Sequence, residues 1–240
     1  MESDGIGIWT DPGARELGFI MGFSERTGGV SATPFGSLNL AGHVGDASAA
    51  VDENRRRLLV ALGLEHLRSQ MVSAEQVHGV ATIVVGESDA GRGAYANGGS
   101  PPVSAADALM TRAVELPMLL CFADCVPVIL AAPGPSLAIV QTDVSGIRAY
   151  IGPHIGPCHY QVSDEIMSHF VNGFGTVARA ESGGLDLGFV VAASLESAGV
   201  DPCNIVRLGV CTAEMTDRFY SYRAEAGLTG RHGAFACILS

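Results

Sequence analysis

The side chains with the clearest chemical potential in this sequence are a histidine and a cysteine in two short motifs. His78 lies in Glu-Gln-Val-His-Gly, residues 75–79, and Cys125 lies in Ala-Asp-Cys-Val-Pro, residues 123–127. Imidazole and thiolate groups are both ligands that zinc prefers. The same pair can also act without a metal, with the cysteine as nucleophile and the histidine as its base. A metal site and a cysteine-dependent hydrolase are therefore both open interpretations.

Each of these residues also has a purely structural interpretation. His78 by itself is a polar residue that follows a strand, and Cys125 by itself resembles a buried small hydrophobic residue. Asp124, beside the cysteine, either orients a ligand of the site or is a turn residue at the end of a strand. Residue type alone does not decide between these roles, so the surrounding motifs have to.

The composition is that of an acidic globular protein. The chain has 240 residues, 48% of them hydrophobic, which is enough for one large domain or two small ones with a sizeable core. Its formal net charge is −11, and all 14 basic residues are arginines. This charge disfavours nucleic acid or an anionic membrane as a partner. We expect a small-molecule partner, which a local arginine can bind even when it is anionic; the oligomeric state stays open.

The sequence favours a cytoplasmic location. Residues 1–5 do not form the basic and then apolar run of a secretion signal. Residues 118–140 are apolar enough to resemble a membrane span, but Asp124 and three prolines interrupt them, so two buried strands are the better interpretation. The six cysteines form no Cys-x-x-Cys pair, which favours reduced thiols. Three of them are interpreted as core thiols: Cys158, Cys211 and Cys237.

The hydrophobic pattern predicts short strands and three longer helices. Helices are predicted over residues 47–62, 163–174 and 187–198, with Asp46 as the N-cap of the first. Strands are predicted over residues 71–76, 81–85, 106–110, 118–122, 126–130, 137–140, 205–210 and 234–239. Residues 18–29 suggest a strand and a glycine-rich turn, residues 31–40 a second strand-like stretch, and residues 86–104 and 218–233 loops.

Short motifs follow one another from residue 26 to the C terminus. In chain order they are Arg-Thr-Gly-Gly-Val-Ser (26–31), Ser-Leu-Asn-Leu (37–40), His-Val-Gly-Asp (43–46), Asn-Arg (54–55), Gln-Val-His-Gly (76–79), Ala-Asp-Ala (106–108), Ala-Asp-Cys (123–125), Ile-Gly-Pro-x-Ile-Gly-Pro-Cys-x-Tyr (151–160), Cys-Thr (211–212), Phe-Tyr-Ser-Tyr-Arg (219–223) and Thr-Gly-Arg (229–231). One of these alone would carry little weight, but so many in one order are specific. On these motifs the sequence resembles the YfiH/laccase-domain family.

The resemblance implies an α/β (α+β) fold, with one layered domain over residues 1–240 in which helices flank mixed β-sheets. It also implies a purine nucleoside phosphorylase-like enzyme that acts on adenosine, inosine or guanosine with phosphate, with adenosine deamination in some members. The family also carries the label of polyphenol oxidase or laccase. Such an enzyme needs several copper centres with many histidines, and seven histidines without a His-x-His pair make copper less suitable than zinc.

The resemblance further implies a zinc site with three protein ligands, of which this sequence keeps two. The first two correspond to His78 and Cys125, and the third, from a His-Ala-Gly-Trp-Arg-Gly motif, falls at Gln141. A catalytic zinc normally has three protein ligands and one open position, and a neutral amide is a weak ligand compared with imidazole. We therefore expect zinc to be weakly bound or absent, unless His154 or His159 substitutes for the missing ligand.

Phosphorolysis requires a bound phosphate and a stabilised leaving purine. Arginine suits the phosphate by bidentate contact, so Arg26 and Arg223 are the candidate anion contacts, although both are equally suited to bracing loops. Asn39 and Gln76 are the candidate polar contacts to the substrate. Besides the cysteine-dependent hydrolase, the alternative to a working phosphorylase is an inactive protein that still binds nucleosides.

The segment after Gln141 is shorter than the resemblance leads us to expect. The helix that follows the third ligand motif in the family is missing, and residues 142–147 are too few for a crossover between neighbouring parallel strands, which takes roughly a dozen residues. The strands on either side must therefore be antiparallel, non-adjacent or part of an incomplete sheet. The loss predicts lower stability or an uncovered apolar face.

Overall fold

The structure, a computed structural model, describes residues 2, 3, 5–132 and 144–240. The chain divides into two units, of which unit 1 comprises Met1–Phe122 and Leu228–Ser240 and unit 2 comprises Ala123–Gly227. The predicted strand over residues 137–140 and the predicted ligand position Gln141 lie outside the described residues. A single domain over residues 1–240 stays a prediction.

Short strands outnumber helices in the described residues. In chain order the elements are β1 (Glu2–Ser3), β2 (Ile6–Thr10), α1 (Pro12–Glu16), β3 (Phe19–Ser24), α2 (Ser48–Leu62), β4 (Val72–Ser73), β5 (Thr82–Val85), β6 (Ala108–Thr111), β7 (Met118–Phe122), β8 (Val128–Ala131), β9 (Arg148–Ile151), α3 (Asp164–Phe174), α4 (Leu187–Ser197), β10 (Ile205–Arg207) and β11 (His232–Ile238). Among these residues no helix is both long and apolar enough to cross a membrane.

Unit 1 is built on a mixed six-stranded sheet. The strand order is β1-β2-β3-β11-β7-β4, in which β4 and β7 are parallel and the other neighbours are antiparallel. The C-terminal strand β11 lies between β3 and β7, so that Ala234 is opposite Phe23 on one side and Leu120 on the other. A separate parallel pair, β5 and β6, belongs to the same unit. The mixed sheets confirm the predicted fold class.

Helix α2 packs its apolar face into the main core of unit 1. The four residues predicted to share a face are all buried: Val51, Leu58, Leu59 and Leu62. The three leucines lie in one cluster with Leu119 of β7 and Phe235 of β11. The helix ends at Gly63, whose φ of 73° is the left-handed conformation that favours glycine at this position. Periodicity therefore identified this helix and its buried face correctly.

The loop before helix α2 uses Asp46 differently from the prediction. The N-cap residue is Ala47, and no side chain caps the helix. The Asp46 carboxylate instead accepts hydrogen bonds from the Ser31 hydroxyl (2.6 Å) and the Asn39 amide (2.9 Å), and its other oxygen accepts from the Ala47 N–H. The predicted N-cap is therefore wrong, because this carboxylate ties the loop over residues 31–39 to the start of the helix.

Asn54 fastens the same loop to helix α2. Its side chain is fully buried. Its Oδ1 accepts from the Val30 N–H (2.8 Å), and its Nδ2 donates to the Ser31 hydroxyl (2.8 Å) and to the carbonyls of Ser37 (3.0 Å) and Asn39 (2.9 Å). The backbone of this loop thus bonds to side chains and to scattered backbone groups, such as Leu40 N–H to Arg231 O, but forms no ladder with a neighbouring strand. For that reason residues 31–40, all of which are described, form a loop where a strand-like stretch was predicted.

Unit 2 contains a three-stranded sheet and two helices. In the order β10-β9-β8, β9 is parallel to β10 and antiparallel to β8. Helices α3 and α4 begin at side-chain caps, since Ser163 Oγ and Asp186 Oδ1 accept from the N–H groups of Ile166 and Phe189. The helices share an apolar cluster with the turn between them. Strand β9 follows the short segment, whereas the predicted strand before it, residues 137–140, lies outside the described residues, so the alternatives for this pair stay predictions.

Sequence analysis located the helices better than the strands. All three longer helices are confirmed within one residue at each end, whereas β2, α1 and β9 were not predicted. The apolar run at residues 118–140 begins with two strands, as expected, but β8 is only partly buried because Leu130 is 55% exposed. The final strand begins at His232 rather than at residue 234. Residues 86–104 form a loop apart from one short helical turn, although Ala94 and Val103 are buried.

We expect Asn54→Ala to destabilise unit 1 by about 2 kcal/mol or more, because it leaves buried loop carbonyls without a donor. The measurement is urea unfolding followed by circular dichroism. Asn97→Ala, which truncates an exposed asparagine in a loop of the same unit, is the matched control and should change stability by less than about 0.5 kcal/mol. Equal effects from the two substitutions would contradict the role of Asn54.

Candidate functional site

His78 lies in an exposed turn of unit 1 that one carboxylate organises. Asp107 accepts hydrogen bonds from three successive backbone N–H groups, those of Val77 (3.1 Å), His78 (2.8 Å) and Gly79 (2.8 Å). His78 itself adopts a φ of 56°, in the left-handed region that a non-glycine residue rarely occupies. The three hydrogen bonds offset that cost and hold the turn. The imidazole is consequently presented at the surface from a fixed backbone.

Gln76 and Asn39, the predicted polar contacts, bond to the backbone of unit 1. Gln76 Oε1 accepts from the Cys121 N–H at 2.8 Å. The Asn39 side chain is fully buried; it donates to Ala41 O and to Asp46, and it accepts from the N–H groups of Ala41 and Arg231. These bonds use the full donor capacity of the Asn39 amide. Both residues therefore position the segments around them, and their contact with substrate stays a prediction.

Three arginines act on the pKa values of two histidines in unit 1. Burial, together with the cations of Arg231 and Arg26, lowers the pKa of the fully buried His232 to about 3. Partial loss of solvation, then Arg231 and Arg55, lowers the pKa of His43, and Glu75 opposes this. Both imidazoles are therefore neutral near pH 7, while the arginines keep their charge. Such a region favours an anion.

The arginines of this cluster are held by backbone carbonyls. Arg55 is buried and donates to the carbonyls of Leu40 and Gly93, both at 2.8 Å. Arg26 donates from Nε to Gly36 O at 3.0 Å, and Arg231 donates to Thr229 O and Gly230 O at 2.9 Å. Each of these contacts positions a guanidinium through neutral backbone carbonyls. We name Arg26, Arg55 and Arg231 the cationic cluster of unit 1.

Asp124 is the central hydrogen-bond acceptor of unit 2. It is 8% exposed and has a φ of 76°. One carboxylate oxygen accepts from the Thr212 hydroxyl and the other from the Arg223 N–H, both at 2.7 Å, and its carbonyl accepts from the Ile155 N–H. Asp124 thus ties three distant segments of unit 2 together and fixes the backbone that carries the exposed Cys125.

Arg223 presents its guanidinium on the surface of unit 2. The side chain is exposed, lies over the Tyr160 ring with Cζ 5.4 Å from the ring centroid, and reaches Gln161 O at 3.5 Å. The aromatic ring orients the cation without neutralising it. This geometry suits an anion contact, the role that the sequence predicts for it.

The two histidines predicted as substitute ligands have different surroundings. His154 is buried, and its Nδ1 lies 2.8 Å from Gly152 O. Burial lowers the pKa of this imidazole, and its Nε2 is so close to Gly188 of helix α4 that a Cβ there would lie 2.7 Å from it. His159 is exposed instead, and its Nδ1 lies 3.0 Å from Cys158 Sγ and 3.5 Å from Cys211 Sγ.

Sequence analysis missed the cluster formed by Cys158, His159 and Cys211. Their ligand atoms all lie within 4.8 Å of one another, and among the described residues this is the one group of three such donors that could hold a metal ion. Cys158 is exposed and Cys211 half-buried, so the prediction of two core thiols is wrong, whereas Cys237 is buried as predicted. Only the adjacency of Cys158 and His159 was visible in the sequence, because folding brings Cys211 to them.

The incomplete zinc site that the resemblance implies stays a prediction, because its third position is not among the described residues. His78 and Cys125 are described, whereas Gln141 is not. An imidazole, a thiol and an amide are a poorer set than the three strong ligands of a catalytic zinc. We therefore derive no catalytic step through a metal at these positions.

The buried His232 predicts a pH-dependent stability. Because its pKa is about 3 in the folded chain and 6.5 when unperturbed, the unfolded chain binds a proton that the folded chain does not. Stability should fall as the pH drops below 6.5, by up to about 1.4 kcal/mol per pH unit. His232→Gln should reduce this slope between pH 6 and 5 in urea unfolding, and His66→Gln, at an exposed position of unit 1, should not. An unchanged slope in His232→Gln would contradict this assignment.

Comparison with protein families matches nearly the whole chain. The model of the family described as "Multi-copper polyphenol oxidoreductase laccase" matches residues 20–140 and 136–239. That description suggests a metal-binding protein, and the Cys158, His159 and Cys211 cluster shows that the chain can bring metal ligands together.

The chain is also similar to proteins named as nucleoside phosphorylases. It is 34% identical to "Purine nucleoside phosphorylase YlmD" of Geobacillus stearothermophilus, covering 91% of this chain and 89% of that protein. It is 35% identical to "Purine nucleoside phosphorylase SCO2081" of Streptomyces coelicolor, covering 92% and 96%. These similarities extend over both units.

Solved structures confirm the YfiH-like fold. The crystal structure of the hypothetical protein YfiH from Bacillus licheniformis superimposes with a TM-score of 0.86 at 27% identity, covering 100% of this chain and 98% of that one. The structure of YlmD from Geobacillus stearothermophilus gives 0.83 at 32% identity, covering 93% of each chain. The motifs, the mixed sheets and these similarities agree, and the chain belongs to the laccase-like, YfiH family of multi-copper polyphenol oxidoreductase laccase proteins.

Proposed function

We propose that this protein is a purine nucleoside phosphorylase. In this reaction phosphate attacks C1′ of the ribose, the bond from C1′ to the purine breaks, and ribose 1-phosphate and the free purine are formed. The observation that carries the proposal is the similarity, over about nine-tenths of the chain, to proteins with this name. Adenosine, inosine and guanosine are the proposed nucleosides, and phosphate is the proposed second substrate.

The cationic cluster of unit 1 supports the phosphate half of the proposal. Burial is the main cause of the lowered pKa of His43 and His232, and the charges of the cationic cluster add to it, Arg231 and Arg55 at His43 and Arg231 and Arg26 at His232. A phosphate dianion is stabilised by such fixed positive charges. In unit 1, Arg26 is the proposed anion contact, with Asn39 and Gln76 positioning the surrounding backbone.

The exposed groups of unit 2 support a separate set of roles. The Arg223 guanidinium is exposed and oriented by Tyr160, which suits it to contact with the phosphate substrate. The Asp124 carboxylate accepts a hydrogen bond from the backbone N–H of Arg223. This bond holds Arg223 and also fixes the backbone at Cys125, the residue that follows Asp124. We propose that Asp124 positions these groups, and that Cys125 and His78 remain reactive side chains rather than ligands of a strong zinc site.

Phosphorolysis is the better-supported of the two activities that the resemblance implies. Deamination of adenosine in zinc enzymes relies on water activated by the metal, and the donor set of His78, Cys125 and Gln141 is poor for that purpose. Phosphorolysis needs no activated water, because phosphate is itself the nucleophile. The proposal is accordingly limited to phosphorolysis.

The direct test is release of hypoxanthine from inosine by the purified protein, with and without phosphate. We expect release that requires phosphate and yields one ribose 1-phosphate per hypoxanthine. Inosine binding in calorimetry without turnover would contradict the proposal and indicate a nucleoside-binding protein. Phosphate-independent hydrolysis that survives chelators but is lost on alkylation of Cys125 would instead indicate a cysteine-dependent hydrolase.

Arg223→Gln should raise the KM for phosphate about tenfold, which corresponds to roughly 1.4 kcal/mol of lost binding. The substitution keeps the backbone N–H that Asp124 accepts, so the fold of unit 2 should be retained. Arg179→Gln, which removes another exposed guanidinium of unit 2, is the control and should leave this KM unchanged. If both variants behave alike, Arg223 is not an anion contact.

A further inference from the structure

We propose that Cys158, His159 and Cys211 form a zinc-binding site in unit 2. The positions differ from those that the family resemblance implies, and the inference stands independently of the proposed function. Three donors of the types that zinc prefers converge here from two segments of the chain.

The distances between these donors are close to those of a tetrahedral zinc site. With bonds of about 2.3 Å to sulfur and 2.0–2.1 Å to nitrogen, a tetrahedral angle separates sulfur from nitrogen by roughly 3.6 Å. His159 Nδ1 lies 3.5 Å from Cys211 Sγ and 3.0 Å from Cys158 Sγ. These two distances differ from the tetrahedral value by only about half an ångström, a shift that exposed side chains can make by small rotations.

Backbone contacts hold the two segments together before any ion binds. An isolated parallel bridge pairs His154 with Cys211, and the Thr212 N–H donates to His154 O at 3.0 Å. On the other segment, Pro157 O accepts from the Ser182 hydroxyl at 3.1 Å. Because neither segment has to be ordered by the ion, little of the binding free energy is lost to folding.

Gly156 permits the two thiols to lie close together and supports one of them. A Cβ at this position would lie 3.2 Å from Cys211 Sγ and 3.7 Å from Cys158 Sγ, so a side chain would crowd the donors. The Gly156 N–H donates to Cys211 Sγ at 3.1 Å. Hydrogen bonds of this kind orient a ligand and stabilise a thiolate bound to a metal.

Two thiolates and one imidazole select zinc over harder cations. Magnesium and calcium prefer oxygen ligands, whereas thiolate and imidazole suit zinc. Cys158 and His159 are exposed, so the ion can enter from solvent. Three protein ligands leave one position of a tetrahedral ion open to water or to an added ligand.

Cobalt titration of the reduced, metal-free full chain tests the site, because thiolate-to-cobalt absorption in the near ultraviolet counts the bound thiolates. The titration is made in the His78→Ala/Cys125→Ala background, which removes the donors that the family resemblance implies. We expect one cobalt per chain with absorption from two thiolates, displaced by zinc. Cys158→Ala and Cys211→Ala should each halve this absorption, and His159→Ala should weaken binding at least tenfold.

Cys203→Ala provides the matched control, since Cys203 is an exposed free thiol of the same unit outside the cluster. It should leave the cobalt spectrum unchanged, and circular dichroism should show that every variant is folded. A spectrum unaffected by Cys158→Ala/Cys211→Ala would overturn the proposal, as would a reduced chain that binds no cobalt. A disulfide between Cys158 and Cys211 that resists reduction in the folded protein would also overturn it.

Discussion

The pairing of strand β11 with both β3 and β7 is the constraint on which unit 1 depends. It inserts the C-terminal residues between two strands from the first half of the chain, which closes the sheet and completes the apolar core against helix α2. The same pairing brings Arg231 and His232 to the polar interior, where the Arg231 N–H donates to Asn39 and the His232 ring lies 4.4 Å from that of Phe122. Sheet order therefore places Arg231, one member of the cationic cluster.

Unit 2 depends on a polar centre instead. Asp124 is almost fully buried and receives hydrogen bonds from Thr212 and Arg223, while its carbonyl receives one from Ile155. A buried carboxylate is stable only when such donors compensate for lost hydration. This requirement explains why its left-handed backbone is tolerated and why the segments around Cys125, Cys211 and Arg223 are placed so closely within the unit. The hydrogen bonds of Asp124 thus both position the reactive groups and stabilise unit 2.

Family membership and metal binding depend on different features of this chain. Membership rests on similarity over nearly the whole length, in sequence and in fold. Metal chemistry depends on a few donors, and one of the three implied positions is an amide. The cluster at Cys158 has two thiols and an imidazole, which are stronger ligands than the implied set. Packing and coordination depend on different residues, so retention of the fold does not by itself determine where a metal ion binds.

The sequence by itself determined the family, the mixed α/β class and the helices, because ordered motifs and the 3.6-residue periodicity are local signals. The buried face of α2 follows from such a signal. Tertiary structure alone decided that Asp46 and Asn54 fasten a loop, since their partners at residues 30–39 are remote in the chain. It also decided that Cys158 and Cys211 lie outside the core. A bridge from His154 to Cys211 aligns the two segments that carry these thiols. Hydrogen bonds between distant residues leave no periodic trace in a sequence, and for that physical reason these sites had to be found in the fold.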